Sequence, residues 1–84
     1  MKLGSAIGGT LRDLRTSQGM TLRELSRKAH VGYGHISDIE RGRKYVSGEL
    51  LEALAFGLDL STTDFIGELY EYLKEHDEQA LQKV

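Results

Sequence analysis

Apolar positions along this chain recur at the three- and four-residue spacing of helices. Ile7, Leu11 and Leu14 mark a first helix over roughly residues 5–18, which Gly19 ends. Gly8 and Gly9 lie inside it, and a glycine in a helix interior is weaker than alanine by about 0.5–1 kcal/mol. Thr21 and Glu24 form a T-x-x-E capping box, a helix-start signal. Leu22, Leu25 and Ala29 follow as one apolar face. Val31 and Gly32 make a break. Ile36 and Ile39 then give a second short helix an inward face, and Gly42 stands where a glycine closes a helix. Arg43 to Val46 reads as a loop. Ser47 is a candidate N-cap, with Glu49 favourable in the first turn, and Leu51, Leu54, Ala55 and Leu58 supply the inner face of a fourth helix. Ser61 to Asp64 resembles another capping box. Phe65, Ile66, Leu69, Tyr70, Leu73 and Ala80 keep helical spacing beyond it, enough for one helix of about 20 residues, near 30 Å.

This pattern predicts an all-α fold, a compact bundle of five to six short helices with an extended C-terminal helix. With 84 residues the chain has room for one domain with a modest core. The division expected is a helical unit over residues 5–66 and an acidic helical extension over residues 67–84. There is no cysteine, hence no disulfide framework and no cysteine-based metal site. No apolar run approaches the length of a membrane span and no signal-peptide pattern is visible, so a cytoplasmic protein is expected. His30, His35 and His76 share no metal-ligand spacing. No nucleophile–base arrangement, phosphate loop or catalytic carboxylate pair stands out, so neither an enzyme nor a cofactor is expected.

Net charge is −2, but the average hides an asymmetry. Residues 1–46 hold nine Lys and Arg against four Asp and Glu, a net of +5, and residues 47–84 hold two against nine, a net of −7. The basic half can meet phosphate and the acidic half should face away from it. Within the basic half, Thr21 to Gly42 gives two short helices joined by a tight turn, the layout of a DNA-reading helix-turn-helix. The outward face of the second helix carries Tyr33, Gly34, His35, Ser37, Asp38 and Arg41, polar and rich in donors and acceptors. An ordinary surface helix can carry such a face too.

The strings LRDLRTSQGMTLRELS, VGYGHISDIERG and SGELLEALAFGLDLS, spanning about Ile7 to Phe65, resemble the Cro/C1-type (Xre) helix-turn-helix domain of bacterial and phage regulators. The joint placement of Arg15, Gly19, Thr21, Leu25, Ile36, Ile39, Glu40 and Gly42 carries the likeness. The segment YGHISDIERG is most similar to actinobacterial regulators of Clp protease genes. Two positions depart from the family pattern. His30 replaces a glycine at a turn position that needs positive φ, and Gly32 replaces the Ser or Thr that usually starts the reading helix.

The resemblance implies roles for particular residues. Arg15 and Glu40 match positions that form a structural ion pair, for which the forked guanidinium suits a carboxylate. As residue types alone they are also compatible with two separate surface charges. Tyr33, Gly34, His35, Ser37 and Asp38 match positions that contact DNA bases. Asp38 has the chemistry to accept from a cytosine amino group and His35 to donate to guanine; Asp38 is also spaced to pair with Arg41. Arg23, Arg41, Arg43 and Lys44 form the expected phosphate-contacting set, with Arg12, Arg27 and Lys28 as further basic candidates. Leu22 stands where the family often has a phosphate-bonding glutamine.

The expected function is sequence-specific binding of double-stranded DNA as a transcriptional regulator, nucleoid-associated when bound. A projecting C-terminal helix would expose Leu69, Tyr70 and Leu73, and Phe56 stands where the family usually has a polar residue. The expectation is a homodimer on a palindromic operator, with Phe56, Leu69, Tyr70 and Leu73 at the interface. Fold-back of the tail and a protein partner for the acidic C-terminal helix stay open. So do an antitoxin that represses its own operon and binds a toxin, and an interaction adaptor on the same fold.

Overall fold

A computed structural model describes the backbone of residues 1–82 and the side chains of residues 1–76. The side chain of Ala80, read above from the sequence, lies outside the described residues. Five helices follow one another: α1 (Leu3–Ser17), α2 (Leu22–Ala29), α3 (Tyr33–Glu40), α4 (Gly48–Gly57) and α5 (Thr62–Gln82).

The ends of these helices follow from local chemistry. Thr21 accepts from the Glu24 N–H at 3.1 Å and Glu24 accepts from the Thr21 N–H at 2.9 Å, closing the capping box of α2. Ser47 caps α4 by accepting from the Leu50 N–H at 3.1 Å, and Ser61 caps α5 by accepting from the Asp64 N–H at 3.0 Å. The helices α1 to α4 each end at a left-handed residue: Gly19 (φ 68°), His30 (φ 58°), Gly42 (φ 74°) and Asp59 (φ 60°). After α1, the Met20 N–H reaches the Arg15 carbonyl and the Gly19 N–H that of Thr16, a Schellman closure. The same pattern follows α3 and α4.

Helix α1 packs on α3 and α5, α2 on α3 and α4, and α4 on α5. The main core gathers Leu11, Leu25, Ile36, Ile39, Leu54, Leu58 and Phe65, all fully buried. A second cluster joins Ala6 and Ile7 of α1 to Leu69 of α5, with Tyr72 and Leu73 beside it. This cluster bears on three expectations. Leu69 is 7% exposed and packs within its own chain, so it is not free for an intermolecular interface. Leu73 is half-buried against the same cluster. The division expected between residues 66 and 67 falls inside α5, whose inward face continues from Phe65 to Leu69 and on to Tyr72 and Leu73. Ile66, one position on from Phe65, points outward and is 44% exposed.

Gly8 explains how α1 sits so close to α3. A Cβ there would collide with the Ile39 carbonyl oxygen and lie 2.9 Å from that of Glu40. The glycine that weakens α1 as a helix lets it seat the end of α3 backbone to backbone.

Candidate nucleic-acid interface

Arg15 fixes the position of α3 on the scaffold. Its Nε donates to Glu40 Oε2 at 2.7 Å and its Nη2 to Glu40 Oε1 at 3.0 Å, while Nη1 donates to the Met20 carbonyl at 2.8 Å. The side chains are 13% and 7% exposed. The Glu40 hydrogen bond, opposed by burial, raises the Arg15 pKa, so the guanidinium stays charged. One side chain therefore joins α1, the turn after it and the last residue of α3. Its forked geometry does this where a lysine point charge would not.

With Ile36 and Ile39 in the core, the opposite face of α3 is open. Tyr33, Gly34 and His35 are exposed, and Ser37 and Asp38 are half-buried at its flank. A Cβ at Gly34 would meet nothing within 4 Å, so no packing inside the chain requires a glycine there. Around this face stand Arg23 in the first turn of α2, Arg41 at the end of α3, and Arg43 and Lys44 in the loop that follows. All four are exposed, and none enters an ion pair with a described residue. Arg23 lies over the Tyr33 ring, 4.9 Å from its centroid.

A shallow groove of about 230 Å³ runs between α1, the start of α2 and α3, lined by Arg12, Arg15, Leu22, Ser37, Glu40 and Arg41. Arg12 and Arg41 both line it, a shared site that spacing along the chain does not reveal. Lys28 is instead paired with Asp59 at 2.7 Å. At the start of α2, the hydrogen bonds from Thr21 hold the Glu24 carboxyl below the usual carboxylate range.

Between α1 and α5 the electrostatics reverse. A groove of about 270 Å³ there is walled by Asp13, Glu68, Glu71 and Glu75. Phe56 is 71% exposed and Tyr70 59% exposed on α4 and α5. Among the described residues, no helix is long and apolar enough to cross a membrane.

Residues 6–65 match a helix-turn-helix domain family. The chain is 54% identical over 54 residues to the transcriptional regulator ClgR of Mycobacterium tuberculosis, a stretch covering 64% of this chain and 48% of that protein. It thus spans about half the length of the curated relatives it matches. The crystal structure of the clp gene regulator ClgR from C. glutamicum aligns with a TM-score of 0.77 at 41% identity, over 84% of this chain and 92% of that one. The restriction-modification controller protein C.Esp1396I, solved as a tetramer in complex with its natural 35 base-pair operator, aligns with a TM-score of 0.83 at 27% identity, over 87% and 96% of the two chains.

Proposed function

Because the chain belongs to the Cro/C1-type helix-turn-helix family, we propose that it binds double-stranded DNA sequence-specifically as a homodimeric transcriptional regulator on a palindromic operator. The observation that carries this is the open face of α3, braced from behind by Arg15 and Glu40 and bordered by exposed basic side chains. Such a face can enter a major groove while its borders hold the backbone. His35, Ser37 and Asp38 present donors and acceptors to base edges, with Tyr33 at the leading turn. Gly34 lets the helix backbone approach closely. Arg23, Arg41, Arg43 and Lys44 take phosphates, and Arg12 joins them from the groove it shares with Arg41. A regulator of this kind works in the cytoplasm, where bacterial DNA lies.

The homodimer draws support from the large apolar side chains left uncovered on α4 and α5, Phe56, Ile66 and Tyr70. Large apolar side chains exposed together mark interaction surfaces, and these are the ones a partner copy would cover. Leu69 and Leu73 act behind this surface by holding α5 on α1. The operator-bound tetramer of C.Esp1396I supports an oligomer on DNA.

Selection of bound duplexes from a random library tests the proposal. The expected result is a palindromic consensus whose half-sites lie one helical turn apart, about 34 Å. If each protomer of a dimer neutralises about four phosphates, affinity should fall with salt at a log–log slope of about −7. Library selection that enriches no duplex would refute DNA reading. Sedimentation as a monomer at concentrations that saturate DNA would refute the dimer, and Phe56→Glu should convert a dimer to that monomer.

A further inference from the structure

The first turns of α2 and α3 meet at the contact between Arg23 and Tyr33. The guanidinium carbon sits over the ring at 4.9 Å from its centroid, and both side chains are exposed. No described carboxylate pairs with Arg23. The adjacent Glu24 is engaged by the Thr21 N–H. The aromatic ring is therefore the contact that orients Arg23.

That contact leaves the arginine usable. A guanidinium lying over an aromatic face keeps N–H donors at its edge for an anion. A long side chain loses rotamer freedom when it grips a phosphate, and one already held over a ring loses less. The placement suits this task. In a helix-turn-helix the first helix crosses the nucleic-acid backbone while the start of the second approaches the bases. A residue at the start of α3 that holds a residue at the start of α2 ties the two together.

We propose that Tyr33 is a positioning residue for phosphate binding: its ring holds the Arg23 guanidinium toward the DNA backbone, and Tyr33 sets affinity through Arg23 more than by reading a base. The inference rests on the DNA-binding function proposed above and assigns a division of labour within it. Tyr33 carries no charge, yet its loss should alter the salt dependence of binding, because the charge it orients belongs to its neighbour.

The test compares the full chain with Arg23→Ala, Tyr33→Phe, Tyr33→Ala and the double alanine variant on a selected operator duplex, titrated across a range of salt. Tyr33→Phe keeps the ring and should keep both affinity and slope. Tyr33→Ala should weaken binding by about 2–5-fold per protomer. It should also flatten the slope by part of the roughly 0.9 that each lost phosphate contact removes, with base preferences unchanged. The double variant should match Arg23→Ala alone, since coupled residues are not additive. Melting temperatures should stay level, as both side chains lie outside the core.

An unchanged slope with an altered base preference in Tyr33→Ala would make Tyr33 a reader and overturn the proposal. Equal losses in Tyr33→Phe and Tyr33→Ala would transfer the role to the hydroxyl. Additive losses would uncouple the two residues, and a melting temperature that falls in step with affinity would assign Tyr33 to the fold. Each of these outcomes presupposes a wild-type chain that binds DNA. A wild-type chain that binds no duplex at any salt concentration would instead strike the DNA-binding reading itself.

Discussion

Replacing Gly8 by alanine sets two effects against each other. Alanine is the better helix former, by about 0.8–1.0 kcal/mol in a helix interior, so propensity alone makes Gly8→Ala stabilising. Packing opposes it. The new Cβ would collide with the Ile39 carbonyl oxygen and come within 2.9 Å of the Glu40 carbonyl oxygen, whereas ordinary contact begins near 3.4 Å. Both obstacles are backbone at a capped helix end. They cannot swing aside, so α1 and α3 must separate by roughly 1 Å. Overpacking of this kind costs about 1–3 kcal/mol, and separation here also stretches the Arg15–Glu40 hydrogen bonds.

The upper half of that range therefore applies, and Gly8→Ala should be net destabilising by about 1–2 kcal/mol. For a domain of this size that lowers the melting temperature by roughly 4–16 °C. The same helix supplies controls. A Cβ at Gly4 meets nothing within 4 Å, so Gly4→Ala should gain a few tenths of a kcal/mol up to about 1. Gly9→Ala meets the Tyr72 ring and hydroxyl, the mobile end of a side chain, and should fall between the two. Urea unfolding followed by circular dichroism ranks the three variants, provided the slope m stays constant. A Gly8→Ala chain as stable as Gly4→Ala would refute backbone contact between α1 and α3.

Arg15→Ala leaves the Glu40 carboxylate without its fork and should cost about 3–5 kcal/mol, nearer the lower figure because the pair still touches water; a loss below about 1 kcal/mol in urea unfolding would class it with surface pairs. His30→Gly relieves a left-handed histidine, a conformation costing about 1–2 kcal/mol for an L-residue, and should raise the melting temperature. Asp59→Gly should gain less, since it also loses the exposed pair with Lys28, itself worth at most about 1 kcal/mol; a lower melting temperature for His30→Gly refutes the strain argument. The Glu24 carboxyl is held below its ordinary pKa by hydrogen bonds from Thr21. Its charge therefore adds stability above the unfolded carboxylate value and loses it as pH falls through the folded one. Glu24→Gln keeps a capping-box acceptor, so it should melt lower than wild type at neutral pH and converge with it in acid. A gap that persists in acid would show that the charge is not its source.

Local chemistry was legible in the sequence and tertiary consequence was not. The capping box at Thr21, the cap at Ser47 and the helix-ending glycines announce themselves because each acts within a few residues of itself. The positive φ of His30 was readable from the family position it occupies, whereas Asp59 reaches the same conformation with no glycine to mark it. Gly8 and Gly9 read as weak points in α1 because the carbonyls of α3 and the ring of Tyr72, which they accommodate, are distant in sequence. Leu69 read as a projecting apolar residue for the same reason: its partners, Ala6 and Ile7, lie at the other end of the chain. On the open face of α3 the resemblance implied a role for each residue. The contact of Arg23 with Tyr33, and of Arg12 with the groove beside Arg41, required the angle between helices.

The guanidinium of Arg15 has five N–H donors, and three are committed to Glu40 and Met20 before any partner arrives. Helix α3 is thus docked in advance, and association does not have to order it. Calorimetry of DNA binding should register this as a heat-capacity change no larger than the buried surface accounts for, without the excess that accompanies coupled folding. Whatever ordering remains would fall on the segment from Arg43 to Val46, which carries no helix or strand.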